Sequence, residues 1–497
     1  MGNKTDGKEV NLMLIGCGHH ARRIYVPSII EMSKTKPIRI CAVIDVLLEK
    51  TKVTEFLDKL GVQAETLFIE DSNSLGKDLP AELIRKMDLL VSKFSINAVV
   101  ISTDPLYHHV YARWALENKL NILMDKPIST RLNAVSVSTQ AEGILEDYDE
   151  LLSMYNDVQS EEETIFSIMT QRRYDPCFIK VFELISDAAE RFNIPVTSIQ
   201  AMHADGVWIF PDEVVEQISH PYNTGVGKCS HSGYHIFDIV WQIYRAGMRA
   251  GKLPQVGEVT TAFVQPVGLV EQFSQDDYRK LFGSKYDNRN RSEQDSLKTI
   301  MAGYGENDAF SILKLLKDGI NVCNISINLL HNSFSRRSSL TPATDLYKSN
   351  GRVKHQSFHV QQGPFQCIQI HNYQSKDKHE KSTADESLLG GNNHFEIFVF
   401  RNSDFFGADV PPLEVIQSAD LKMKSSLNES GLDSESPKDL AIIEFVDFIL
   451  GKKNKKDLVS NIDTHAFPAK LMSAIYQSHS NQHNNADNSS VRFPLDI

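Results

Sequence analysis

The chain has 497 residues, a formal net charge of −12 at pH 7, 41% hydrophobic and 23% charged residues. That is the composition of a globular chain with room for two or three domains, and its acidity, with no basic stripe, excludes nucleic acid as the default partner. Six cysteines (Cys17, Cys41, Cys177, Cys229, Cys323, Cys367) lie far apart with no C-x-x-C pair. Reduced thiols are therefore expected rather than a disulfide frame or a zinc site. No apolar run spans a bilayer, the N-terminus lacks a signal-peptide core, and Asp6 argues against myristoylation of Met1-Gly2, so a cytoplasmic protein without a membrane partner is expected.

The apolar run Val10–Ile15 reads as a buried strand, followed by the turn Gly16-Cys17-Gly18-His19-His20-Ala21. A helical pattern from Arg22 to Met32 and a second strand, Ile38–Ile44, lead to Asp45. Strand, glycine turn, helix, strand and acid is the order of a dinucleotide-binding βαβ unit. Gly16 permits the sharp turn, Gly18 lets the backbone approach a pyrophosphate at the helix N-terminus, and Ala21 keeps helix and sheet close. Asp45 stands where it can accept from a ribose diol. No arginine or serine directly follows it, so NAD is expected over NADP, with Lys50 and Lys52 the nearest cations.

A charged helix through Leu60, a strand at Ala64–Ile69 and a helix at Pro80–Lys93 continue the alternation. The buried strand Asn97–Ser102 opens into Thr103-Asp104-Pro105-Leu106-Tyr107-His108-His109, with a helix to Asn118. Strand Asn121–Met124 ends in Asp125-Lys126-Pro127. Alternating strands and helices indicate a parallel sheet, whose ligands bind at the carboxyl ends of the strands, where Thr103, His108 and Lys126 fall. Leu132–Tyr155 reads as an acidic helix, Thr164–Thr170 as a strand, and Phe178–Arg191 as a helix after Gln171-Arg172-Arg173-Tyr174.

From Val196 the period becomes alternating. Strands are expected at Ser198–His203, Val259–Val267, Phe310–Leu316, Val322–Leu329, Phe358–Gln361, Gln366–His371 and Phe395–Phe400, with a hairpin turn at Asp318-Gly319. Gln272–Ser296, Ser375–Asn393 and Gln417–Pro437 read as insertions or linkers, and helices Asp439–Leu450 and Ala466–Gln477 close the chain. The fold class is α/β: an N-terminal Rossmann domain (1–172) and a C-terminal α+β domain with a large, mostly antiparallel open sheet (173–436, with insertions near 272–296 and 375–393). Residues 437–497 form helices and a tail packing back on the body.

The run Ile101-Ser-Thr-Asp-Pro-Leu-Tyr-His108 followed by Asn121-Ile-Leu-Met-Asp-Lys126-Pro127 resembles the Gfo/Idh/MocA family of NAD(P)-dependent oxidoreductases. Pro105 comes one step late and Asp125 replaces the usual glutamate. The segment Gly225-Val-Gly227-Lys-Cys-Ser-His231-Ser-Gly233-Tyr234-His235-Ile-Phe-Asp238 matches the family's D-x-G-x-H-x-x-D motif, with His231 in place of the first aspartate. The resemblance implies that Gly16, Cys17, Gly18, His19, His20, Ala21, Asp45, Ser102, Thr103, Asp104, His108, Asp125, Lys126 and Pro127 hold the cofactor. It implies Lys126 and His235 as catalytic residues, and Lys126, Arg173, His231 and His235 at the substrate. It also implies a homo-oligomer joined through the open sheet face.

Removing a hydride from an alcohol carbon needs a base for the hydroxyl proton and a cation for the developing alkoxide. His235 suits the first task and Lys126 the second, although a Lys126 with a pKa lowered by burial can also take the proton. The core competitor for His235 is a satisfied buried histidine beside Phe237, Val240 and Trp241. Arg173 and Trp208 fit a sugar pocket, the core or the surface equally well. Asp238 is expected to cap or brace the helix of His235. His231 and His235 at HxxxH spacing, with His203 or Asp205, are the one arrangement that could hold zinc, and no metal is expected. The expected activity is that of an NAD(P)-dependent sugar or polyol dehydrogenase acting at a secondary hydroxyl or ketone of a carbohydrate, polyol or sugar nucleotide. Its rivals are a redox-neutral NAD-dependent glycosidase and a non-catalytic nucleotide-sensing regulator.

Overall fold

The computed structural model describes residues 8–70, 78–218, 220–287, 293–338, 340, 351–374, 394–421, 437–483 and 489–495. The expected insertion 375–393 and most of the linker 417–437 lie outside these residues. The chain divides into two compact units, 1–130 with 145–175 and 423–466, and 131–144 with 176–422 and 467–497.

Among the described residues the first unit is built on six parallel strands: β1 (Val10–Ile15), β2 (Ile38–Val46), β3 (Glu65–Ile69), β4 (Ala98–Ile101), β5 (Asn121–Met124) and β6 (Phe166–Ile168). Their order, β3-β2-β1-β4-β5-β6, is that of a doubly wound dinucleotide-binding sheet. Every residue of β1 and β4 is buried, as strands covered on both faces require. The helix expected over Arg22–Met32 is two helices, His19–Arg23 and Tyr25–Ser33, broken at Ile24 (φ −116°, ψ −67°). Pro27 has no N–H to give the carbonyl of Arg23, so a continuous helix would lose that bond. Helix Pro437–Ile449 belongs to this unit, with Ala441, Ile442, Phe445 and Val446 in the same core as β1. Ser28 Oγ bonds the Asp439 carboxylate.

Among the described residues the second unit carries nine strands: β7 (Ser198–Val207), β8 (Val256–Val264), β9 (Asp308–Lys317), β10 (Ile320–Asn332), β11 (Lys354–Gln362), β12 (Gln366–Gln374), β13 (His394–Arg401), β14 (Leu413–Gln417) and β15 (Val491–Pro494). Their order is β14-β13-β12-β11-β7-β10-β9-β8-β15, antiparallel except where β7 and β10 run parallel. Asp318 (φ 51°) and Gly319 (φ 78°) make the expected hairpin turn between β9 and β10 with the left-handed dihedrals such turns use. β14 and β15 were not expected. Both are short edge strands, and Pro494 in β15 is a residue tolerated only at an edge.

The helix expected from Leu132 starts at Ser138 and runs to Glu161. The backbone of 131–137 is committed elsewhere: the Asn133 N–H bonds Thr224 O at 2.8 Å and the Val135 N–H bonds Gly225 O at 3.0 Å. Helices Pro176–Phe192 and Tyr234–Ala246 pack together and cover one face of the sheet. Trp241 stacks on Phe467 of helix Ala466–His483, ring centroids 4.0 Å apart. The opposite face exposes Phe310, Ile312, Phe400 and Val415. No helix among the described residues is long and apolar enough to cross a membrane.

Candidate active site

At the carboxyl end of β1, Gly16 adopts φ +87°, and a Cβ there would stand 2.5 Å from the carbonyl oxygen of Ser102. Only glycine lets β1 turn this close to the end of β4. A Cβ on Gly18 would meet nothing within 4 Å, so its backbone borders open space, as a pyrophosphate cradle requires. Ala21 is fully buried. Asp45 Oδ2 accepts the Cys17 N–H at 2.7 Å and Oδ1 accepts the Val46 N–H at 2.7 Å. Burial raises its pKa against those two donors. Each carboxylate oxygen keeps a further lone pair. The turn and its acid therefore fit a dinucleotide.

Around β5, Asp125 collects the neighbouring loops. It accepts from Tyr25 Oη and from Ser102 Oγ at 2.7 Å, and His20 Nε2 stands 3.7 Å away. Burial pushes this carboxyl up, but His20, Tyr25 and Ser102 outweigh it and hold it below its ordinary value. The His20 ring is pushed down to about 4 by burial, against the pull of Asp125. His108 is fully buried, Nδ1 2.7 Å from Pro127 O and Nε2 3.2 Å from Thr103 O. Burial favours the neutral ring, and the shorter contact assigns its proton to Nδ1. Through Nδ1–H, His108 thus ties the start of helix His108–Glu117 to Pro127. Asp104 accepts the Leu106 N–H at 3.0 Å and caps the short turn Pro105–Tyr107.

Lys126 is half-buried and joined to Pro127 by a cis peptide. Lys438, at the start of helix Pro437–Ile449, enters the same charged neighbourhood. Its pKa is lowered to about 8, first by burial and then by Arg23, Lys126 and Arg172, with Asp125 opposing. Sequence reading missed it, because some 310 residues separate it from Lys126 and no motif marks it. Arg173, expected at the substrate, is buried and bonds Val459 O at 2.8 Å and Thr464 Oγ1 at 2.6 Å. Its guanidinium fastens the 459–464 segment to the first unit.

In the second unit the glycine approach is again steric. A Cβ on Gly227 would stand 2.1 Å from Glu306 O, and the Lys228 N–H bonds that same carbonyl at 2.8 Å. Residues Cys229–Gly233 form a π-helical turn, a feature common at functional sites, and His235 is in the first turn of the helix that follows. The His231 ring meets His220 and Tyr222 edge-on, centroids 5.1 and 5.2 Å apart. Asp238 is fully buried in the interior of helix Tyr234–Ala246, so it does not cap it. Trp208 packs among Phe210, Phe273, Tyr278 and Phe282.

His203 and Asp205, the residues considered beside His231 and His235 for zinc, instead bind Lys228. Its ammonium bonds the Asp205 carboxylate and reaches His203 Nδ1 at 2.9 Å. Among the described residues no group of three or more metal-binding side chains is assembled. Burial depresses the Lys228 pKa against the attraction of Asp205. Burial also raises that of Asp205, but Lys228, His331, His203 and Arg352 prevail and hold it well below the carboxylate range. Sequence reading passed over Lys228 although it lies within the glycine motif. It also missed His331 on β10 and Glu306 just before β9, where no motif marks them.

Residues 10–142 match the model of the GFO_IDH_MocA oxidoreductase family, NAD-binding Rossmann fold. No curated protein matches the chain in sequence. Among solved structures it is similar to an aldose-aldose oxidoreductase from Caulobacter crescentus complexed with glycerol (12% identity, TM-score 0.54, covering 98% of this chain and 100% of that one). It is also similar to the WlbA dehydrogenase from Bordetella pertussis in complex with NADH and UDP-GlcNAcA (11%, 0.54, 99% of each). A levoglucosan dehydrogenase in complex with NADH and levoglucosan is a third (12%, 0.53, 98% and 100%). At such identities the likeness is one of fold.

Proposed function

We propose that this chain, which through residues 10–142 belongs to the Gfo/Idh/MocA family of NAD-binding oxidoreductases, transfers a hydride between nicotinamide and a secondary hydroxyl or ketone of a carbohydrate, polyol or sugar nucleotide. The observation that carries the reading is the Gly16–Gly18 turn, pressed against Ser102 on one side, open on the other and braced by Asp45. The carbohydrate class is drawn from the structural neighbours, whose complexes hold glycerol, a sugar nucleotide and levoglucosan.

Gly16, Cys17, Gly18, His19 and Asp45 would hold the dinucleotide, with Ser102, Thr103 and Asp125 around it. Bound there, the nicotinamide supplies the hydride acceptor or donor. Lys126 donates a hydrogen bond to the substrate oxygen and stabilises the negative charge that develops on it as the C–H bond breaks. His235, as neutral imidazole, takes the hydroxyl proton and returns it in the reverse direction. His231 contacts the substrate or orients His235. NAD is favoured over NADP because Glu49, just beyond β2, engages both Arg22 (3.2 Å) and Lys52 (2.6 Å), which pairs these cations with a carboxylate rather than a 2′-phosphate. A second copy of the chain is the partner assigned to the open sheet face, supported by the apolar side chains exposed there.

Fluorescence titration of the purified chain with NADH and NADPH tests the reading. Saturable binding with NADH the tighter is expected, and failure to bind either nucleotide would end it.

A further inference from the structure

On the helix-covered face of the large sheet lies a polar centre that the chemistry assigned to Lys126 and His235 does not use. β7 and β10 run parallel with His203 opposite Leu329, which brings Asp205 of β7 beside His331 of β10. Asp205 Oδ2 meets the Lys228 ammonium and stands 3.5 Å from His331 Nδ1. Arg352 Nε bonds Asp205 O at 2.7 Å, and its Nη2 lies 3.3 Å from Oδ1. The carboxylate therefore holds the His331 ring by its Nδ1 side. On the other side, Nε2 is buried and has no hydrogen-bond partner among the described residues.

Asn307 repeats the pattern. It is fully buried, and neither Nδ2 nor Oδ1 has a partner among the described residues. The two residues are neighbours: the His331 N–H bonds Asn307 O at 3.1 Å and Asp308 Oδ1 at 2.9 Å. Tyr222 packs edge-on against His331, centroids 5.2 Å apart, and its carbonyl takes the Gly305 N–H at 2.7 Å. A polar atom buried without a partner forfeits its bonds to water and is destabilising. Three on two adjacent residues is a deficit that folded proteins carry where something else completes the bonding.

The donor and acceptor set indicates what completes it. With Nδ1–H directed at Asp205, His331 Nε2 offers a lone pair, and Asn307 offers one acceptor and two N–H donors. An alcohol O–H can donate to the first and accept from the second. A carboxylate or phosphate would face the Nε2 lone pair and Asn307 Oδ1, and the cations nearby, Lys228 and Arg352, are already engaged by the Asp205 carboxylate. We propose that His331 and Asn307 form a hydroxyl-binding subsite for a neutral sugar or polyol, in which Asp205 is a positioning residue that fixes the His331 ring. The substrate class rests on the function proposed above; the geometry of the subsite does not.

Isothermal titration calorimetry of the full chain with myo-inositol, D-glucose and D-glucuronate, with and without NADH, tests this. Expected are binding of at least one neutral polyol, a loss of about tenfold or more in its affinity, roughly 1.4 kcal/mol or more, in both His331→Phe and Asn307→Leu, and partial retention in His331→Gln. NADH affinity should be unchanged in all three, which reports that the fold is intact. The inference is overturned if no neutral polyol binds, if D-glucuronate alone binds, or if folded variants bind as the wild type does, the result for a trapped water only. Polyol binding that ignores His331 while NADH still binds defeats the subsite alone. Absence of NADH binding to the wild type defeats the oxidoreductase reading.

Discussion

Asp45 Oδ2 accepts the backbone N–H of Cys17 at 2.7 Å, so the acid that ends β2 shapes the glycine turn that ends β1. Hydrogen bonds to a charged group contribute about 1.5–3 kcal/mol. Asp45→Ala should therefore weaken NADH binding by roughly 10- to 100-fold, and Asp45→Asn, which keeps one acceptor oxygen, by less. Nucleotide titration of the two variants checks the order, and equal affinities would show that the turn holds without its acid.

Lys126→Ala should lower kcat by a factor on the order of 10²–10³, the usual cost of removing one donor to a developing oxyanion. NADH affinity should stay within a few fold. Steady-state kinetics on a sugar or polyol substrate found by screening, beside the nucleotide titration, separates the two effects.

His235→Asn should slow turnover and abolish the rise of rate with pH that a titrating base produces in the oxidative direction. A variant that keeps both the wild-type rate and the wild-type pH profile would move the base to Lys126.

Arg337 and Glu213 form a buried, two-pronged ion pair, Nη1–Oε2 2.5 Å and Nη2–Oε1 2.6 Å, with the guanidinium 4.1 Å from the centre of the Phe210 ring. Removing one partner strands the other charge away from water, at a cost of about 3–5 kcal/mol. Arg337→Met should lower the urea midpoint accordingly, and the double change Arg337→Met with Glu213→Leu should recover much of the loss.

Burial raises the Glu306 carboxyl to about 7, against bonds to Oε1 from the Cys229 N–H (2.7 Å) and the Tyr476 hydroxyl (2.9 Å). An acid whose folded pKa is raised retains its proton in the folded chain after the unfolded chain has lost it. Its stabilising contribution is complete below pH 4.5 and is lost as pH rises through about 7. The loss is on the order of 3 kcal/mol. Glu306→Gln should flatten the fall in Tm between pH 5 and 8, which thermal melts at fixed ionic strength will show.

The sequence determined by itself everything that depends on local periodicity and short-range sterics. The buried runs Val10–Ile15 and Asn121–Met124, the Gly16 turn and the Asp318-Gly319 hairpin were legible because burial on both faces and left-handed dihedrals restrict which residues can stand there. Six of the seven expected strands of the second unit also fall within strands of the structure, because a half-buried strand alternates, whereas Val259–Val267 overruns β8 into helix Pro266–Gln272. Tertiary structure alone decided the rest. Backbone bonds from 131–137 to Thr224 and Gly225 delayed a helix that propensity would have begun earlier. The parallel pairing of β7 with β10, across more than a hundred residues, put Asp205 beside His331. Lys438 reached the surroundings of Lys126 from near the end of the chain, and Arg173 took a role fastening Val459 and Thr464. Charge pairing and polar burial are set by which distant segments meet, and no local pattern records that.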